Sequence, residues 1–212
     1  EAITDIPEMD DDPYILLDIA KNKRGKKKSA GCYEPVRNAF PLKPLATASN
    51  TGPSYLQKAE DSSGTLVGDG FREYTYKTID TLKLRLYIKK PADFRRNGKY
   101  PAIVFFFGGG WNSGNISQFK PHADYLSAHG MVTVLADYRV KSRHQTTPFD
   151  AVADARSVIR YLREHAGELG IDSFRLAASG GSAGGHLAAA TATLPGLDDP
   201  SDNLALSCKP NA

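Results

Sequence analysis

Gly180-Gly181-Ser182-Ala183-Gly184 constrains this chain more than any other stretch. It reads G-x-S-x-G and joins an apolar, strand-like run at 175–179 to an alanine-rich helical segment at 183–194. A serine between glycines at a strand-to-helix junction predicts a sharp turn with an exposed hydroxyl. The glycines allow backbone angles that a β-carbon would oppose. The N–H of the next residue then points where an oxyanion would form. A plain Gly/Ser connection or a phosphate-binding turn would also fit the five residues alone. A phosphate loop, however, would carry a lysine or a longer glycine spacing, and this segment has neither.

The rest of the chain divides near residue 70. Residues 1–70 combine an acidic start (Glu8, Asp10, Asp11, Asp12), a basic run (Lys23, Arg24, Lys26, Lys27, Lys28) and scattered prolines. They read as an N-terminal arm or linker with little regular structure. The basic run could meet a nucleic acid or a membrane surface, but no aromatic residue interleaves with its lysines. The net charge of +3 is small, and no segment reaches the ~18 apolar residues of a membrane helix. Neither a nucleic-acid nor a membrane partner is expected. The chain opens at Glu1 without a signal-peptide pattern. That fits a processed secreted or periplasmic protein, with a cytoplasmic one left open. Cys32 and Cys208 are the only cysteines; a disulfide and two free thiols are both compatible with them. No Cys or His spacing points to a metal, and no cofactor is implied.

Residues 71–212 carry the periodic pattern of an α/β domain. Two β-rich runs at 72–79 and 82–90 flank Asp80-Thr81 and predict an antiparallel hairpin. Continuously apolar strands at 102–107 and 131–136 follow, as expected where both faces of a sheet are covered. Between them Phe119, Ala123 and Leu126 mark a short amphipathic helix. Val152, Ala155, Ile159, Leu162, Ala166 and Leu169 form one stripe of a longer helix, expected to start near Pro148 and end at Gly170. Alternating strands and helices give a mostly parallel sheet with helices on both faces.

A second glycine cluster, Phe107-Gly108-Gly109-Gly110-Trp111, follows the first buried strand. Such a loop is either a flexible turn or a set of free N–H donors. Strand ends of an open parallel sheet are where ligands bind, and this loop and Ser182 fall on the same edge. The two motifs, with Asp137-Tyr138-Arg139, Gly170-Ile171-Asp172 and Gly185-His186, resemble the α/β-hydrolase fold. Within it they are most similar to serine esterases of the hormone-sensitive-lipase-like and bacterial acetyl-esterase group. The resemblance covers residues 71–212, the N-terminal portion of such a domain.

The resemblance implies that Ser182 attacks an ester carbonyl and forms an acyl-enzyme. Gly109, Gly110 and Ala183 would donate N–H groups to the oxyanion, and Trp111 would flank the substrate pocket. Phe107 stands where that group has a histidine, so one side-chain hydrogen bond bracing the loop is absent. The implied substrates are short acyl esters, including acetylated or feruloylated carbohydrate. A serine peptidase of the prolyl-oligopeptidase type and a non-catalytic hydrolase-like binding protein are the alternatives.

A serine needs a base, and this fold places the acid and then the histidine after the serine. Only His186, Asp198, Asp199 and Asp202 stand there. His186 lies one turn beyond Ser182 and is expected to pack; the aspartates read as turn formers. His122, His129, His144 and His165 precede the serine and read as structural. A strand ending at Ser182 should be central in its sheet. The acid and base are therefore expected from a complementary C-terminal polypeptide of the same domain.

Overall fold

Pairing across the sheet decides where the two glycine clusters meet. The computed structural model describes residues 63–212; the basic run, Cys32 and most of the expected arm lie outside the described residues. A short helix, α1 (Ser63–Gly68), precedes the hairpin strands β1 (Arg72–Ile79) and β2 (Leu82–Lys89). Asp80 turns between them at φ +52°, a left-handed conformation that aspartate tolerates. Next come β3 (Tyr100–Phe106), a 3-10 turn (Ile116–Phe119), α2 (Lys120–Ala128) and β4 (Val132–Ala136). The chain continues through α3 (Lys141–His144), α4 (Pro148–Glu164), α5 (Ala166–Leu169), β5 (Ile171–Gly180) and α6 (Ala183–Thr193).

The strand order is β1-β2-β4-β3-β5. β1 and β4 run antiparallel to β2, whereas β3 runs parallel to both β4 and β5. In the last pairing Phe106 faces Gly180. The glycine loop and the serine turn therefore leave adjacent strands at the same end.

Side chains alternate across a strand, and both faces are covered. Leu86, Ile88, Val104, Phe106, Val134 and Ala136 are buried on one face, in the same core as Val152, Ala155, Ile159 and Leu162 of α4 and Leu187 of α6. On the other, Tyr87, Phe105 and Leu135 pack with Ala123 of α2, and with Leu66 and Phe71. Leu66 is wholly buried, so α1 contributes to this layer although it precedes residue 71.

Thr147 caps α4 through a reciprocal box with Asp150, and Pro148 takes the first helical position, where its missing N–H costs nothing. The stripe expected to continue to Leu169 is interrupted. His165 leaves the helical conformation (φ −96°, ψ 15°), and its N–H turns back to the carbonyls of Tyr161 and Arg163. The separate turn α5 follows, and both Ala166 and Leu169 still reach the core. Hydrophobic spacing records which residues are buried, not whether one straight helix delivers them. β5 is also longer than its apolar stretch. On the side away from β3 it receives the N–H of Asn211 at the Leu176 carbonyl (2.6 Å) and donates the Ala178 N–H to Ala212 (2.9 Å).

Candidate active site

Ser182 sits between β5 and α6 with φ +52° and ψ −118°. These angles match the first central position of a type II′ turn, ordinarily held by glycine, and a serine there is strained by about 1–3 kcal/mol. The neighbouring glycines permit the geometry. A β-carbon on Gly184 would collide with the Phe106 carbonyl, and one on Gly180 would lie 2.6 Å from the same oxygen. α6 thus enters directly over the end of β3. Its first N–H groups have no intrahelical acceptor, and the Ala183 N–H is the first of them. The Gly184 N–H turns back to Gly181 (2.8 Å) and the His186 N–H to the Ser182 carbonyl (3.0 Å).

The loop after β3 touches this turn. A β-carbon on Gly108 would lie 2.7 Å from the Gly181 carbonyl and 3.4 Å from Ser182 Cβ. Gly109 and Gly110 both have positive φ (+145° and +61°). The Gly109 carbonyl accepts the N–H groups of Asn112 and Ser113 (3.1 and 3.2 Å). Among the described residues neither the Gly109 nor the Gly110 N–H is taken by a backbone carbonyl. Trp111 follows at φ +56°, its ring edge-on to His186 at 5.2 Å. Its indole N–H is buried without a hydrogen-bond partner among the described residues.

Sequence reasoning missed the groups that hold this loop. Phe107 lacks the bracing side chain expected of a histidine, but other residues brace its surroundings. The Tyr138 hydroxyl donates to the Phe107 carbonyl at 2.6 Å, and the Gly108 N–H donates to Gln118 Oε1 at 2.6 Å. The Phe107 and Tyr138 rings stack at 4.2 Å. Burial, with the nearby Asp137 carboxylate, pushes the Tyr138 phenol well up, so it remains a donor. The Lys141 and Ser142 N–H groups hold the carbonyls of Trp111 and Asn112 (2.9 and 2.8 Å). The signal for Tyr138 was its place in Asp137-Tyr138-Arg139; Gln118, in a polar stretch, offered none.

Among the described residues no histidine ring is hydrogen-bonded to Ser182. His129 and His165 bond the carbonyls of Tyr125 and Tyr161, and His144 accepts from the Val140 N–H. Burial and the neighbouring Arg143 guanidinium lower the His144 pKa. His122 packs with Phe105 and Phe119, and His186 with Trp111.

The three late aspartates do more than form turns. Asp199 does bend its loop, accepting from the Ser201 N–H and hydroxyl, but it also pairs with Lys77 at 2.6 Å. Asp198 joins Arg156 (2.7 Å) and Arg160 (2.5 Å), and Asp202 accepts from Ser157 at 2.9 Å. Asp154, wholly buried, joins Lys77 (3.1 Å) and Arg139 (2.8 Å). Together they pin the loop after α6 to α4 and β1. Burial pushes the Asp202 carboxyl above its ordinary range. It acts on Asp199 in the same direction, but hydrogen bonds from Lys77 and Ser201 outweigh it and hold that carboxyl well below the range. Cys208 is buried, its thiol directed at the Thr191 carbonyl (3.6 Å). No helix among the described residues is long and apolar enough to cross a membrane, and no group of three or more acidic, His or Cys residues there could hold a metal.

A strained serine at a strand-to-helix turn, beside a glycine loop on the neighbouring parallel strand, defines an α/β-hydrolase fold. Residues 86–209 match the BD-FAE family, and the chain belongs to it. It is similar to carboxylesterase NlhH of Mycobacterium tuberculosis, 34% identical over 126 residues, which cover 58% of this chain and 37% of that protein. The arylesterase of Saccharolobus solfataricus is 35% identical over 117 residues, 55% of this chain and 37% of the other. Among solved structures, the apo form of Thermogutta terrifontis esterase 2 is 51% identical with a TM-score of 0.66. It covers 67% of this chain, which spans 53% of that one. Other structures of that esterase are described as propionate-bound, butyrate-bound and phosphorylated by paraoxon. The chain thus spans about half of the solved esterase and 37% of these two relatives.

Proposed function

We propose that this chain carries the nucleophile and oxyanion site of a serine carboxylic-ester hydrolase acting on short acyl esters. The observation that carries this is the strained Ser182 at the start of α6, with Gly108 packed against it. Ser182 Oγ attacks the ester carbonyl carbon, and its proton passes to a base. The carbonyl oxygen gains charge facing the N–H groups of Gly109, Gly110 and Ala183, each such donor being worth ~3 kcal/mol. Collapse expels the alcohol, which takes the proton, and water then releases the acid from the acyl-enzyme. Trp111 flanks the acyl or alcohol group. The base and acid come from a segment of the same domain beyond residue 212. In support, no histidine among the described residues bonds to Ser182, and the esterases that this chain resembles are longer.

Propionate and butyrate forms of the solved esterase favour short acyl groups. Acetylated or feruloylated carbohydrate remains the proposed natural class, acting in a secreted or periplasmic setting. The test is labelling with a fluorophosphonate probe, together with hydrolysis of p-nitrophenyl acetate, p-nitrophenyl butyrate and methyl ferulate. Labelling at Ser182 that vanishes in Ser182→Ala, with hydrolysis down by about 10⁴-fold or more, supports the proposal. A folded chain that neither labels nor hydrolyses when the segment supplying the base and acid is present would instead be a non-catalytic binding domain.

A further inference from the structure

We infer that Tyr138 and Gln118 are positioning residues that fix the oxyanion loop against the serine turn, replacing the brace missing at Phe107. The inference rests on the esterase reading for its kinetic consequence but not for its structural one. Tyr138 follows β4 and is fully buried; its hydroxyl reaches the Phe107 carbonyl at 2.6 Å. That carbonyl borders α6, where a β-carbon on Gly184 would lie 2.6 Å from it. The Tyr138 bond therefore fixes the loop at the place where it meets the elbow helix. One residue on, Gln118 in the 3-10 turn takes the Gly108 N–H at 2.6 Å. Gly108 is the residue packed against Gly181 and Ser182.

Two side chains from separate elements thus hold the one peptide group that joins Phe107 to Gly108, Tyr138 by its carbonyl and Gln118 by its N–H. Gly109 and Gly110 follow immediately. Gly109 is held in addition by its own turn, its carbonyl accepting from Asn112 and Ser113, whereas an added β-carbon at Gly110 would meet nothing within 4 Å. The Gly109 N–H, on the next peptide group, takes its direction from the two anchors, and the Gly110 N–H from them and from the turn that holds the Gly109 carbonyl. Oxyanion stabilisation depends on donors already aimed when charge develops, and small misplacements can cost up to about 100-fold in rate. Each anchor should therefore act on kcat, through Gly109 and Gly110, without touching substrate.

The test uses the full chain and four variants, each with the segment that supplies the base and acid for the kinetic measurements. Tyr138→Phe keeps the ring stack and removes the hydroxyl. Gln118→Met keeps the length and removes the acceptor, Gln118→Glu restores an acceptor, and Gln118→Ala truncates an exposed residue whose loss the fold should tolerate. Amide exchange at Gly108, Gly109 and Gly110 is read by NMR, alongside kcat and KM for p-nitrophenyl butyrate. The expected result is exchange at Gly108 at least about 10-fold faster in Gln118→Met and Gln118→Ala, and restored protection in Gln118→Glu. Tyr138→Phe should likewise accelerate exchange at Gly108 and shift the Gly109 and Gly110 amide resonances. In active protein kcat should fall about 10- to 100-fold, with KM changed less than about threefold. Unchanged glycine exchange in both Gln118→Met and Tyr138→Phe overturns the inference, whatever the rates do. If the unmodified chain neither labels nor hydrolyses with the segment that supplies the base and acid present, the esterase reading fails, and the exchange data still decide whether these residues hold the loop.

Discussion

The serine turn and the charged clamp beside α4 are built in opposite ways. At the turn, geometry comes from the backbone: Gly180, Gly184 and Gly108 bring main chains within contact of one another, and side chains are excluded. In the clamp, geometry comes from side chains. Lys77 and Asp154 lie buried together with the half-buried Arg139 beside them, and Arg156 and Arg160 reach the loop that holds Asp198 and Asp202. The first tolerates no added carbon, and the second tolerates no missing charge. One region sets where chemistry can happen; the other holds the loop after α6 in place without approaching Ser182 in any recorded bond.

That contrast predicts different failures. The largest effect belongs to Asp154→Ala, which removes the buried carboxylate joining Lys77 and Arg139, leaves them only Asp199 and Asp150, and should cost about 3 kcal/mol in urea unfolding. The folded fraction should still label at Ser182 at the normal rate; a loss of labelling without a loss of stability would break the division between the regions. Gly184→Ala should cost about 3 kcal/mol by overpacking and abolish labelling as well. Gly185→Ala is its control, because its β-carbon would meet only the Gly180 carbonyl, at 3.2 Å. Equal effects at the two positions would remove the close-approach explanation.

Acid should loosen the clamp. The Asp199 carboxyl titrates below its unfolded value, so its contribution is present above the unfolded pKa and lost as pH falls through the folded one. Asp199→Asn should lower stability at pH 7 by about 2 kcal/mol and flatten the decline below about pH 4. Asp202 has the opposite sign. Its raised pKa means that ionisation opposes folding, so Asp202→Asn should be milder at pH 7 and should not reproduce that flattening. At the small end, Arg85→Ala removes a solvent-accessible pair with Glu73, the two side chains 41% and 37% exposed, and should change stability by less than about 0.5 kcal/mol.

The same division explains what was legible in the sequence. The serine turn and the glycine loop are short and local, so five consecutive letters each carry them, and strand periodicity placed both on one sheet edge. The hairpin is legible because the Asp80-Thr81 turn separates two clear β runs. The clamp is not, because Lys77 and Asp199 meet only after the whole domain has folded, and nothing around either charge announces the other. Gln118 was hidden for the same reason: an amide in a polar loop looks like solvent-facing filler until Gly108 is set beside it. The break at His165 escaped because burial of Leu169 is satisfied by two short helices as well as by one long helix.

The backbone of Ser182 has a consequence for anyone improving this protein. Its φ of +52° is a conformation that glycine adopts without penalty, so Ser182→Gly should raise the melting temperature. A stability screen run without an activity readout would collect that variant early. Thermostabilisation of this domain therefore has a built-in hazard: the substitution most readily rewarded at the elbow is the one that deletes its hydroxyl.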